Sequence, residues 1–600
     1  MAKQAILLHD GELTKQLTTL EKTLEFFGIP WRTGSLAEFP ESDGNACDQV
    51  VFGSASVIGR AYRQAEGNNQ IGSYAAFYAF ADEDLPAAER GIRSILNDGS
   101  VTLREAREGI VKLRVSPQLG ELVGSMAGIE ARARMRKEDA VVAGLDGQQA
   151  NVETVISAGG APVYLKVEGK KGPIYLCASN YMIDLDQEVG AGHYDVKAHF
   201  CSVVPLISFV RYVFREVMWQ PQEIGACLII DDPLLKKRYG CCDFEKLRDL
   251  MKQHEFTTNI AFIPWNWWRT SPDATGLFGD GLGAFSVSIH GCDHVKAEFG
   301  NSSRGVLSHR ARLAQARMQM HEDRTGIHHD QVMVFPQGVF SSASPGILKR
   351  TGLIAAVNTQ ISPVDGRDGR TRVRDVWDVA IMKYDSFAIF TRRYADHGVE
   401  NLAFDILLGK PCLIAAHHQF FKDESIAMMG LLEKLQGLNC AIKWRPLGEV
   451  IRRACRWRTK APLGVEIEMY GTELVFANPK HQEVSTLIKK REASTDSVTH
   501  VQSDLGEIEW HPGLNSCSFE ATIGANSERH FRVCYRDLDD VRMVEQSVAF
   551  KSSVAVRRIL SEFADACVGK GSSISFGKAG LLRRVPRSKY RTGSSVSTGL

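Results

Sequence analysis

Strand ends near the middle of the chain carry residues whose types and spacing suit chemistry. "GACLIIDDP" at 225–233 is an apolar run that stops on two adjacent carboxylates, Asp231 and Asp232, followed by a proline. Two neighbouring acids repel, so a fold gains nothing from the pair unless a positive charge meets at least one of them. "AFSVSIHGCDH" at 284–294 ends an apolar run on His290 and His294. Residues four apart share a helical face, so a helical turn after the strand would aim both imidazoles the same way. One such pair among 17 histidines in 600 residues is close to what chance gives, so the spacing carries little by itself. The shared context carries more, because both pairs begin where an apolar strand ends within one predicted domain. Two imidazoles and a carboxylate form a common set for a divalent transition metal with positions left open for water and substrate. The ion supplies the missing positive charge: one aspartate binds it, and the other stays free as a general base beside a polarised water.

Further strand ends fit the same pattern. "QVMVFPQGVFSS" at 331–342 places Pro336, Gln337 and Gly338 in a turn whose backbone N–H groups could hold a developing oxyanion. "PCLIAAHHQFF" at 411–421 ends on His417 and His418. Either could protonate a leaving amine, and either could equally be a hydrogen-bonded histidine at a barrel rim. "PWNWWRT" at 264–270 brings Trp265, Trp267 and Trp268 after another strand end. Their indole faces suit stacking on sugar rings, and suit equally a hydrophobic plug beneath a lid. His321, His328 and His329 precede a strand and are expected away from the site, while His193 and His199 read as surface or interdomain residues.

The elements that must position these groups form an α/β multidomain chain. "QAILLH" at 4–9, a helical segment ending at Gly28, and the runs at 48–64 and 73–80 alternate strand and helix, which predicts a Rossmann-like α/β domain over 1–215. The glycines of "FGSASVIG" lack both the Walker lysine and the Gly-x-Gly-x-x-Gly spacing, and read as a tight strand-to-helix turn. "APVYLKVEGKKGPIYLCAS" at 161–179 reads as two strands joined by a Gly-Lys-Lys-Gly turn. Over 222–458, "ACLIID", "TTNIAFIP", "AFSVSIH", "QVMVFP", "LIAAVN", "VAIMKY" and "PCLIAAHH" give seven strands separated by helices. That predicts an irregular (β/α) seven-stranded barrel, whose chemistry lies at the strands' C-terminal ends. From 459 to 550 short alternating strands predict a small β-sandwich. Residues 551–600 hold a basic amphipathic helix and a Ser/Gly-rich basic tail expected to be disordered.

Six hundred residues exceed one core and suggest roughly three or four domains. A net charge of +1 gives no electrostatic argument for a nucleic-acid partner. The 13 cysteines show no Cys-x-x-Cys pair, which fits a reduced, cytoplasmic chain. No segment reads as a cleaved signal, and the greasiest, 201–214, is too short to span a bilayer and contains Arg211.

The order of an Asp-Asp strand end, a His-x-x-x-His loop, a proline turn and a late apolar strand ending in histidine resembles the polysaccharide deacetylase family, the NodB-type carbohydrate esterases, over residues 222–458. The resemblance implies Asp231 as general base and Asp232, His290 and His294 as metal ligands. It also implies an oxyanion-stabilising backbone N–H near Gln337, and a general acid at His417 with His418 the competitor. Zinc is the first expectation, and the ligands also suit cobalt, nickel or manganese. The family's Arg-x-Pro-Tyr turn is "VFPQG" here, so the arginine that orients the base is absent, and its Asp-Trp motif has only "RDVWDVA" at 374–380 as a loose candidate. A divergent member is implied, with a glycan or sugar-conjugate substrate that loses an acyl group, most simply N-acetyl. The alternative is a catalytically inactive carbohydrate-binding or scaffold protein on the same barrel. A glycosidase ranks below both, since it needs a second free carboxylate across the bond.

Overall fold

The computed structural model describes residues 3–39, 46–67, 73–145, 151–190, 192–279, 285–300, 303–366, 369–422, 425–460, 464–538 and 547–569. The basic stretch 570–600, expected to be disordered, lies outside the described residues.

The first third of the chain builds one nine-stranded mixed sheet. Its parallel half runs in the order Trp31–Ser35, Gln4–His9, Gln49–Ser54, Ala76–Phe80, Ile174–Cys177. An antiparallel half continues through Ala161–Val167, Val152–Ala158, Gly109–Val115 and Glu130–Met135. Alternate side chains of the parallel strands feed two cores. Leu7, Phe52 and Tyr78 pack with helix Lys15–Phe26 and with the long apolar helix Phe200–Val213, while Leu8, Val51 and Phe77 pack with Ala55–Gly67 and Leu85–Leu96. In "FGSASVIG" the helix begins at Ala55 and its Ser56 N–H donates to the Asp82 carboxylate at 3.0 Å. An acid therefore already occupies the position where a phosphate would sit.

The central sheet is parallel and nearly closed. We number its strands β1 (Ile224–Asp231), β2 (Thr258–Phe262), β3 (Phe285–His290), β4 (Asp330–Val334), β5 (Ala355–Asn358), β6 (Ile389–Thr391), β7 (Arg393–Tyr394) and β8 (Cys412–Ala416). The order is β6-β5-β4-β3-β2-β1-β8-β7, with a short extra strand, Ile442–Trp444, on the start of β1. Near-continuous apolar strands such as β1, buried over seven of its eight residues, are what a parallel sheet covered on both faces demands. Two expectations are corrected. "VAIMKY" at 379–384 is not a strand; only Ile381 bridges to Ile389, and the strand lies five residues later. The seven strands become eight because the closing segment 389–394 pairs with β5 through its first half and with β8 through its second. Between the halves sits Arg392, at the seam of the barrel.

Beyond the barrel, two sheets enclose a core of their own. One runs Gln220–Pro221, Cys455–Lys460, Gly464–Met469, Val484–Arg491, Ser516–Ile523, Trp510–Gly513; the other runs Glu473–Asn478, Ser527–Tyr535, Val498–Ser503, Gly506–Ile508. Val465, Ile467, Phe476, Ile488, Phe519 and Phe531 fill the space between them. The strand Cys455–Lys460 straddles residue 459, where the texture of the sequence changes. A final helix, Val548–Gly569, returns to the barrel and crosses its mouth; we call it the mouth helix. Among the described residues no helix is long and apolar enough to cross a membrane.

Candidate metal centre

Asp232 comes directly after β1, and strand alternation would turn its side chain away from that of Asp231. A left-handed backbone at Asp232, φ 78°, turns it back to the same mouth. This conformation is costly for a residue with a Cβ and is held only where the surroundings impose it. His294 (φ 54°) and Gln337 (φ 58°) share it, so three non-glycine residues in left-handed backbone converge here.

The Asp232 Oδ1 atom lies 3.0 Å from His294 Nε2 and 3.4 Å from His290 Nε2. One ligand atom from each of the three residues lies within 4.8 Å of the others. Although near both nitrogens, Oδ1 is a buried acceptor without a hydrogen-bond partner. One carboxylate oxygen and two imidazole nitrogens crowded within reach of a single point are what ligands aimed at a shared cation look like. The tautomer agrees: His290 Nδ1 is 2.9 Å from the Val334 carbonyl, which can only accept, so Nδ1–H donates and Nε2 faces the cluster with its lone pair. By donor chemistry, one carboxylate and two imidazoles, the site fits a divalent transition metal.

No helical turn produces this spacing. Residues 291–294 form an irregular loop in which Gly291 adopts φ 69°. A Cβ on Gly291 would fall 2.4 Å from Pro336 Cγ, so the proline of the predicted turn packs directly on the histidine loop. The buried Glu298 carboxylate accepts the backbone N–H groups of Cys292 (3.0 Å), Asp293 (2.7 Å) and His294 (3.2 Å). Asp293 is itself paired with Arg317 at 2.7 Å. Cys292, Asp293 and Glu298 form a second close donor cluster, and these bonds account for it as the clamp that holds the loop.

Asp231 receives what the sequence did not supply. Arg392, from the barrel seam, binds it in a fork: Nη1 to Oδ1 at 2.6 Å and Nη2 to Oδ2 at 2.7 Å, with both residues buried. Burial would push the Asp231 carboxyl up, but the charge of Arg392 above all holds it below the usual carboxylate range. For Asp232 burial also pushes up, and the imidazoles of His294 and His290 carry it well below that range. The partner of Asp231 thus comes from the seam of the barrel, 161 residues along the chain. A hint lay in "FTRRYADH", where two arginines interrupt an apolar run, but nothing local assigns either a partner.

The two late histidines separate. His417 is exposed, its ring 6.3 Å from that of Tyr394, and close enough to Asp231 to lower that carboxyl. His418 is buried: its Nδ1 takes the Cys241 N–H at 3.4 Å and its Nε2 meets Asp565 of the mouth helix at 3.2 Å. Gln337 is exposed in the turn Pro336–Gly338, and its Oε1 takes the Ala297 N–H at 3.4 Å. Trp265 is tied by its backbone N–H to the Cys292 carbonyl at 3.0 Å, beside the histidine loop. Its ring meets Trp268 edge-on at 6.2 Å, with Arg269 over both indoles, and Trp268 is 55% exposed while Trp267 is half-buried.

Other sequence candidates have structural partners. Trp377 and Asp378 of "RDVWDVA" are buried away from the centre, the first against Tyr194 and Phe404, the second against Arg491, Arg456 and Tyr470 of the sandwich sheet and the turn beside it. His321 is buried against Phe262 with Nε2 2.8 Å from Thr270 Oγ1, and burial carries it down to about 4. His328 and His329 both meet Glu322. His193 stacks on His397 and so joins the first sheet's domain to the barrel region, whereas His199 lies between Tyr181 and Tyr194 of its own domain.

Among known proteins, no family model and no curated protein matches the chain. Solved structures align with it at low identity. The carbohydrate deacetylase Agd3 covers 89% of this chain and 98% of its own length, at 9% identity and a TM-score of 0.45. A family 4 carbohydrate esterase from Bacillus anthracis covers 40% and 86%, at 13% identity and 0.25. A CE4 family pseudoenzyme from the same organism covers 38% and 66%, at 13% and 0.23. These structures belong to the class that the order of motifs resembles.

Proposed function

We propose that the protein is a metal-dependent hydrolase that removes an acyl group, most simply N-acetyl, from a carbohydrate. One observation carries this reading: an arginine-clamped carboxylate, Asp231, stands beside a cluster of one carboxylate and two imidazoles at the C-terminal mouth of a parallel barrel. A divalent ion held by Asp232, His290 and His294 supplies Lewis acidity and water activation when bound, and zinc suits this set best. Asp231, held anionic and oriented by Arg392, takes the proton of the attacking water. The backbone N–H of Gln337 faces the developing oxyanion. His417 returns a proton to the departing amine, since His418 is engaged by Cys241 and Asp565. Trp265, Trp267 and Trp268 form the stacking surface for the sugar.

The alternative, a non-catalytic binder, drew its support from the absent arginine; the fork of Arg392 on Asp231 favours the hydrolase over it. Acetate release from acetylated oligosaccharides tests the proposal: the zinc-loaded protein releases acetate and Asp231→Asn does not. Inert wild type across a panel of N- and O-acetylated sugars would reverse the conclusion in favour of the binder.

A further inference from the structure

The mouth helix Val548–Gly569 lies with the wrong side outward for a helix that belongs to a soluble core. Its charged face is turned to the barrel. Glu562 pairs in a fork with Arg269, with Nη2–Oε2 at 2.7 Å, beside Trp265 and Trp268. Asp565 is buried, accepts the Tyr239 hydroxyl at 2.8 Å and meets His418. Arg558 is buried on the same face, and Arg557 is near enough to Asp232 and Glu298 to feel both charges. The opposite face carries Val556 (58% exposed), Ile559 (57%), Leu560 (57%) and Phe563 (57%). The spacing i, i+3, i+4, i+7 makes these four one continuous apolar ridge. Glu562 and Asp565 are the helix's only acids, and both point inward, so the ridge presents no negative charge.

The sequence directly after this helix matches one occupant. Residues 570–600 contain Lys570, Lys578, Arg583, Arg584, Arg587, Lys589 and Arg591 and no acid. An apolar helical ridge joined to a basic, acid-free stretch has the two signals that stable attachment to an anionic bilayer surface requires: shallow apolar insertion and attraction to acidic headgroups. A second copy of the chain would satisfy the apolar ridge but would meet the same positive charge.

We propose that the mouth helix docks the protein on an anionic phospholipid surface through Val556, Ile559, Leu560 and Phe563. Because the inner face of the helix stays bonded to Arg269, Tyr239 and His418, docking brings the mouth of the barrel to the lipid surface. The attachment stands whether or not the centre beneath the helix is a hydrolase.

Flotation of the purified full chain with phosphatidylcholine vesicles, and with phosphatidylcholine–phosphatidylglycerol vesicles, tests this. The proposal expects flotation with the mixed vesicles alone, weakening as salt is added. In Leu560→Ser/Phe563→Ser the bound fraction falls at least about tenfold; since both side chains are exposed, the melting curve stays that of wild type. Absence of flotation with both vesicles, or equal flotation with both, overturns it. So does a concentration-dependent dimer in size-exclusion chromatography that the same double variant abolishes.

Discussion

Asp231 and Arg392 form the contact on which the general-base assignment turns. A forked guanidinium–carboxylate pair fixes direction as well as charge, and a lysine cannot reproduce the fork. Arg392→Lys is expected to keep the metal, to lower kcat by about 100-fold through misplacement of the base, and to change KM much less. Steady-state kinetics on an acetylated oligosaccharide reads this split, and a loss confined to KM would contradict the positioning role. Arg392→Met leaves the buried Asp231 without its partner, and chemical denaturation should show a loss of about 3–5 kcal/mol. The adjacent acids, the two histidines and the proline turn were legible in the sequence because each ends an apolar run, and a parallel barrel gathers such ends at one mouth. The partner of Asp231 was not legible, because closure of the barrel, and no local pattern, brings position 392 to position 231.

At the scale of elements, the histidine loop carries the centre. Its shape comes from Glu298, whose carboxylate gathers three successive N–H groups, and from Gly291, whose missing side chain admits Pro336. Spacing alone suggested a helical turn over 290–294; the real element is a clamped loop, because the backbone donors find a side-chain acceptor before they can find helical carbonyls. Glu298→Gln replaces one of the acceptor oxygens by a donor, and metal affinity should fall about 10- to 100-fold, as for other groups that orient ligands. Competitive chelator titration measures it; unchanged affinity would show that the loop holds its shape without the charge. Gly291→Ala should cost about 1–3 kcal/mol in thermal or chemical unfolding, from positive φ together with the clash with Pro336.

At the scale of the whole molecule, charges buried between the barrel and the two-sheet unit join those parts. Asp378, in the barrel region, meets Arg491 and Arg456 of the sandwich sheet and the Tyr470 hydroxyl. Burial pushes its carboxyl up, but Arg491 and Arg456 outweigh it and bring the value to about 2. The folded value is depressed, so the pair stabilises fully above the ordinary aspartate range near pH 4 and is lost as pH falls toward 2. A shift of this size corresponds to about 2 kcal/mol. Wild type should therefore lose stability steeply between about pH 4 and pH 2. Asp378→Asn should be less stable at neutral pH and flatter across that window, as followed by thermal unfolding; parallel curves would remove Asp378 from the interface account. Strand-helix alternation made the barrel and the parallel half of the first sheet legible; the antiparallel strands Gly109–Val115, Glu130–Met135 and Val152–Ala158 were not, and they make the sheet mixed where a Rossmann-like domain was expected. Which side of the mouth helix faces the barrel was not legible, since an amphipathic pattern ordinarily buries its apolar side and here the salt bridges of Glu562 and Asp565 reverse it.

Elemental analysis of the purified protein, wild type beside Asp232→Ala, His290→Ala and Arg392→Lys, tests the centre most directly. About one equivalent of a divalent transition metal should accompany wild type and Arg392→Lys and be lost from the other two. Metal retained at the wild-type level by Asp232→Ala and His290→Ala would contradict the account.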